Sequence, residues 1–274
     1  MLRVKQTYVQ QLKRINHIKG LTGLVISLII IVIAYGLEEL AIVFGYSDST
    51  DTSQAILKFA CFVLVACLLY LLISPFNHVQ SLKAIKNWKA NLLVYLPFLI
   101  FVYWVTGTGT LTIYDLNWES IFDCLTIGVV EESIFRLLVF NWFLNRYQQN
   151  FLGILLASLV SSFWFAFLHL FNSFLPSATI NFYYAIDQSV YAFCFGFICA
   201  TIYYYGKAIW IPIIFHALND FVAYSYNPSL YIASIKELEA ALSNTMPYFI
   251  VALFLGSWFI YQTLKQRGFV KEKN

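Results

Sequence analysis

The sequence predicts an all-α fold, a polytopic transmembrane helical bundle of about eight spans, and three observations carry that expectation. Of its 274 residues, 60% are hydrophobic and only 11% are charged, whereas a soluble domain averages about 25% charged. The apolar residues gather into runs of the length that crosses a ~30 Å hydrocarbon core, which takes roughly 20 residues of helix. The basic residues collect in alternate connecting segments. The same composition excludes a disordered chain, a coiled coil, a disulfide scaffold and a soluble nucleic-acid binder. The five cysteines, Cys61, Cys67, Cys124, Cys194 and Cys199, sit inside apolar runs without metal-type spacing and read as small core residues.

The candidate spans are 21–44, 55–75, 91–106, 121–144, 151–171, 184–205, 208–224 and 246–264. The first follows a polar, basic segment, 1–20, and is long enough to act as a retained signal anchor rather than a cleaved leader. The seventh is short, with Pro212 near its start, where a helix tolerates proline best. No linker or internal repeat divides the chain, so 21–264 reads as one membrane domain, followed by a basic tail, 265–274. Placing the N-terminus in the cytoplasm puts Arg3, Lys5, Lys13, Arg14, Lys19, Lys83, Lys86, Lys89, Arg146, Lys207, Lys265, Arg267, Lys271 and Lys273 on the cytoplasmic side, fourteen of the seventeen basic residues. The opposite face keeps only Lys236, among several acids. Lysine and arginine near span ends set orientation, so the chain is expected N-in and C-in, in the cell membrane.

Of the remaining two basic residues, Lys58 can snorkel from the start of its span, but Arg136 lies deep in the fourth. That span, FDCLTIGVVEESIFRLLVFNWFL, also holds Glu131 and Glu132. A charge at the bilayer centre costs roughly 2.5–3.5 kcal/mol even on a forgiving scale, so these groups need partners. Glu132 and Arg136 are four apart and share a helix face, which suits an ion pair. Glu131 points about 100° away. An ion-pair staple between helices accounts for the pair, and accounts less well for Glu131.

Two further spans supply polar company. The fifth ends SSFWFAFLHL, with Phe165 and His169 four apart. The seventh reads IPIIFHALNDF, with His216, Asn219 and Asp220. A lone intramembrane histidine is commonly a helix–helix hydrogen-bonding residue. Two histidines, a spare glutamate and an Asn–Asp pair on three spans are better satisfied together in one polar cavity than by separate burial. Glutamate with two histidines suits a divalent metal such as zinc, with Glu131, His169 and His216 as the trial ligand set. It equally suits a general base acting on water. There is no HExxH, so a zincin-type site is excluded. Proton or ion translocation uses many of the same groups, although no inverted repeat or pair of broken helices favours a carrier.

In order along the chain, EESIFR (131–136), FAFLH (165–169) and HALND (216–220) resemble the signatures of the CAAX prenyl protease and bacteriocin-processing family, also called Abi. Those signatures are EExxxR, FxxxH and HxxxN/D. The resemblance covers about 120–224 and extends to Gly196 in AFCFGF and the Ile209–Pro212 lead-in to His216. It implies an intramembrane metalloendopeptidase acting on membrane-associated peptides or proteins. Glu131 resembles the family's catalytic glutamate and His169 its partner in activating water. His216 and Asp220 match the motif assigned to the metal site or to oxyanion stabilisation, and Asn219 is a neighbouring source of an amide. Glu132, Arg136 and Phe165 match positions that orient the site. The family also includes bacteriocin self-immunity proteins and membrane scaffolds, so a non-catalytic binding role is the alternative.

Overall fold

The computed structural model describes residues 118–144, 150–174, 180–206, 208–226 and 232–266. The three spans expected before residue 118 lie outside the described residues, as do the basic N-terminal segment and most of the tail. Every described element is helical. Helix α1 (Trp118–Glu132) runs directly into a π-helical stretch, Ser133–Phe140, and a last turn, α2 (Asn141–Leu144). Helix α3 (Phe151–Phe171) continues into a 3-10 turn, Asn172–Phe174. Then follow α4 (Phe182–Gly206), α5 (Trp210–Tyr226) and α6 (Ile235–Gln266). These helices overlap the last five expected spans.

Local chemistry sets the ends. Asn150 caps α3, its Oδ1 accepting from the Gly153 N–H at 2.9 Å, which satisfies one of the orphan donors of a helix start. Asn181 does the same for α4 through the Tyr184 N–H at 3.0 Å, and its amide donates to the Ile232 carbonyl at 2.6 Å, tying the start of α4 to the lead-in of α6. Helix α6 begins eleven residues earlier than the apolar run at 246. Its start is written in polar chemistry instead: Ser234 Oγ accepts from the Glu237 N–H at 3.3 Å, while Glu237 Oε2 accepts from the Ala233 N–H at 2.8 Å. This is a capping-box pattern of Ser and Glu three apart, which a hydropathy reading passes over.

Helices alternate in direction. Phe165 of α3 meets Gly196 of α4, and Phe174 meets Phe182, so α3 and α4 are antiparallel. Asp187 meets Thr245, Phe193 meets Phe249 and Tyr205 meets Phe259, so α4 and α6 are parallel. Arg136 meets Gly196 and Asn141 meets Tyr203, so the α1–α2 run is parallel to α4, whereas Tyr191 meets Asn219 and Phe195 meets His216, so α5 runs antiparallel to both.

Three described helical segments, Phe151–Phe174, Phe182–Gly206 and Ile235–Lys265, are long and apolar enough to cross a membrane. Their outward faces are apolar too: on α6, Ile250 is 70% and Phe254 69% exposed, which suits lipid as the solvent. The interior is filled by Phe135, Phe165, Phe195, Ile198 and Phe259 on one side of α4, and by Phe140, Ile154, Tyr203, Tyr204 and Ile260 on the other.

Candidate active site

The polar centre begins where α1 changes its winding. Glu132 and Arg136 are both 0% exposed and form a two-pronged pair, Arg136 Nε donating to Glu132 Oε2 at 2.8 Å and Nη2 to Oε1 at 3.2 Å. The third guanidinium nitrogen, Nη1, reaches Ser161 Oγ of α3 at 3.5 Å. The Ser161 hydroxyl in turn donates to the Phe135 carbonyl at 2.8 Å. At the other end of the π-helical stretch, Asn141 Nδ2 serves the Arg136 carbonyl at 3.0 Å, the Leu137 carbonyl at 3.1 Å and Tyr203 Oη of α4 at 2.9 Å. Wide helical turns of this kind displace backbone carbonyls from their usual partners and recur at functional sites. Here side chains from α2 and α3 supply the substitute donors that burial requires.

Helix α5 brings a histidine onto this pair. His216 Nδ1 lies 2.8 Å from Glu132 Oε1. A carboxylate accepts, so this nitrogen carries a proton. The other ring nitrogen, Nε2, faces two more carboxylates, Glu131 Oε2 at 3.5 Å and Asp220 Oδ2 at 3.6 Å. Glu132 is sealed, whereas the Glu131 and Asp220 side chains are 15% and 23% exposed, so the cluster is reached over those two. Asn219 Nδ2 donates to Asp220 Oδ1 at 3.3 Å, and Asn219 Oδ1 accepts from the Tyr191 hydroxyl of α4.

Close helix approach makes these contacts possible. A Cβ on Gly128 would stand 2.8 Å from the Ile213 carbonyl, so α1 can lie this near α5 only with glycine there. A Cβ on Gly196 would stand 2.8 Å from the Phe165 ring. With that space, Phe165 lies under the Arg136 guanidinium, 5.3 Å from carbon to ring centroid, and meets both imidazoles edge-on, His169 at 4.6 Å and His216 at 5.8 Å.

Residues 113–222 match the family model described as Rce1-like, type II CAAX prenyl endopeptidase Rce1-like. That stretch of the chain is similar to this family. Neither the comparison with curated proteins nor that with solved structures gives a match. The matched range holds Glu131, Glu132, Arg136, Phe165, His169, His216, Asn219 and Asp220.

Within the matched range the structure gathers Glu131, Glu132, Arg136, Phe165, His216, Asn219 and Asp220 around one point. His169 joins through the Phe165 ring rather than through a polar contact. Its Nδ1 lies 2.9 Å from the Phe165 carbonyl, which can only accept, so that nitrogen carries a proton and Nε2 is the nitrogen free to accept in the neutral ring. Among the described residues, no three His, Cys, Asp or Glu side chains form a group that could hold a metal ion. Phe165 lies against both imidazoles, and each Nδ1 is already engaged. Sequence reading missed Ser161, Tyr191 and Asn141. A polar residue in an apolar span was the available signal for Ser161 and Asn141, whereas one tyrosine among nineteen gave none.

Proposed function

We propose that this chain is an intramembrane endopeptidase that hydrolyses peptide bonds of membrane-associated peptides or proteins, as the description of the matched family suggests. The observation that carries the reading is the convergence of Glu131, Asp220 and the Glu132–Arg136 pair on His216 inside apolar helices. Five consecutive helices alternating in direction support successive crossings of the cell membrane. The assignment of eight spans with both ends cytoplasmic rests on the distribution of basic residues.

In the proposed reaction, Glu131 accepts a proton from water as the water oxygen bonds to the scissile carbonyl carbon. His169 Nε2 is a second acceptor that orients that water. Protonated His216, held at Nδ1 by Glu132, offers Nε2–H to the oxyanion that forms. When the carbon–nitrogen bond breaks, the proton carried by Glu131 leaves with the amine. Asp220 holds the imidazole from the exposed side. Among the described residues, no group of three His, Cys, Asp or Glu side chains is arranged to hold the divalent cation expected from the sequence.

Terminal-peptide mass spectrometry on cells expressing the wild type or Glu131→Gln at equal membrane levels tests the reading. New peptide termini are expected only with the wild type. Termini that persist in Glu131→Gln remove that residue from the chemistry, and a phenotype surviving the substitution without any cleavage favours the immunity or scaffold role. Orientation has its own check. The 3-10 turn carries α3 past His169 to Phe174, so a cysteine placed at Asn172 is expected to react with an impermeant reagent from outside the cell. Reaction only from the cytoplasmic side reverses the assignment.

A further inference from the structure

We propose that Tyr191 is a positioning residue of this site, holding the α5 acid Asp220 in place through Asn219. The inference deepens the peptidase reading and rests on it. Two separate contacts connect Tyr191 to the centre. Its hydroxyl donates to Asn219 Oδ1. That bond fixes which way the Asn219 amide faces, because the oxygen is taken and the nitrogen is turned onto Asp220 Oδ1 at 3.3 Å. With Oδ1 held there, Asp220 presents Oδ2 to His216 Nε2 at 3.6 Å. The second contact is through rings. Tyr191 stacks on Phe195, one turn along α4, at 6.2 Å and 19° between planes, and Phe195 meets the His216 imidazole edge-on at 5.2 Å.

The chemistry explains why a hydroxyl is useful at this position. An asparagine amide has one acceptor and one donor end, and it can rotate to exchange them. In an apolar span few partners favour either orientation. A tyrosine hydroxyl that donates to the oxygen end leaves the NH2 end for the carboxylate. Without that hydroxyl, the amide can turn its oxygen toward Asp220, where two acceptors repel and the carboxylate swings out of register with His216. The Tyr191 hydroxyl therefore acts on the reaction only through Asn219, and the residue touches no reacting atom.

A double-mutant cycle on cleavage tests this. Wild type, Tyr191→Phe, Asn219→Ala and the double variant are compared at matched levels in membranes. The substrate is a synthetic peptide spanning a cleavage site found by its dependence on Glu131. Phenylalanine keeps the stack on Phe195, so Tyr191→Phe removes the hydroxyl alone. Loss of one hydrogen bond that acts in the transition state is expected to lower kcat by roughly three- to tenfold, with KM unchanged. Because Tyr191 works through Asn219, the double variant is expected to match Asn219→Ala rather than fall further. Wild-type kcat in Tyr191→Phe, additive losses in the double variant, or a change confined to KM or to the amount of folded protein overturns the proposal and leaves the peptidase reading standing. A wild type with no Glu131-dependent cleavage overturns the peptidase reading and the positioning role with it.

Discussion

Arg136→Met is expected to destabilise the protein by about 3–5 kcal/mol, the cost of leaving one member of a buried ion pair without its partner. Both side chains are fully buried, and the guanidinium bonds twice to Glu132 and once to Ser161 while lying over the Phe165 ring. Methionine fills much of the same volume, so the loss is electrostatic rather than a cavity effect. In the variant, Glu132 keeps a charge in an apolar interior with only His216 beside it. Thermal unfolding of the purified protein in detergent reads this directly. The informative companion is Glu132→Leu combined with Arg136→Met, which removes both charges. Its stability is expected to recover most of the loss, since apolar replacements of buried pairs are commonly neutral or better. Its cleavage is not expected to recover, because His216 then has no acceptor at Nδ1. An Arg136→Met protein as stable as the wild type contradicts a buried, uncompensated Glu132.

The sequence announced part of this centre and concealed part. Glu132 and Arg136 were legible as a pair because four residues along a helix is a fixed geometry. The placement of His169, His216 and Asp220 on helices was legible because each interrupts an apolar run. What the spacing could not reveal was that Glu132 also reaches His216, 84 residues away, since helix adjacency is decided by packing. The determinant of that packing is small: Gly128, whose missing side chain lets the α5 backbone approach. Nor does hydrophobic periodicity register the change from α- to π-winding at Ser133, because it alters hydrogen-bond partners and leaves the apolar run unbroken. The early start of α6 was hidden for a related reason. Its first three turns carry Lys236, Glu237 and Glu239, and a search for lipid-length apolar runs begins only after them.

Glu132→Gln is expected to lower kcat by about a hundredfold or more in the protein that still folds, the size of effect seen when a preorganised oxyanion donor is removed, and to lower stability as well, because the buried Arg136 charge loses its carboxylate. The prediction follows from counting acceptors. The Glu132 carboxylate uses Oε2 for Arg136 Nε–H and Oε1 for both Arg136 Nη2–H and His216 Nδ1–H. A glutamine offers one oxygen and one NH2. If the oxygen replaces Oε1, the NH2 faces Arg136 Nε–H, and two donors oppose each other beside a fixed positive charge. If the oxygen replaces Oε2, the NH2 faces both Nη2–H and His216 Nδ1–H. The conflict at the ring eases only when Nδ1 gives up its proton. The imidazole that remains is neutral, and its Nε2–H is a weaker donor to an oxyanion than an imidazolium. Either arrangement weakens the step proposed for His216 and leaves Arg136 without a full counter-charge. Single-turnover cleavage separates this effect from binding, with the rate of the chemical step expected to fall and substrate affinity to stay put. A Glu132→Gln enzyme with unchanged kcat demotes Glu132 to a partner of Arg136 alone, and His216 then owes its orientation to Glu131 and Asp220.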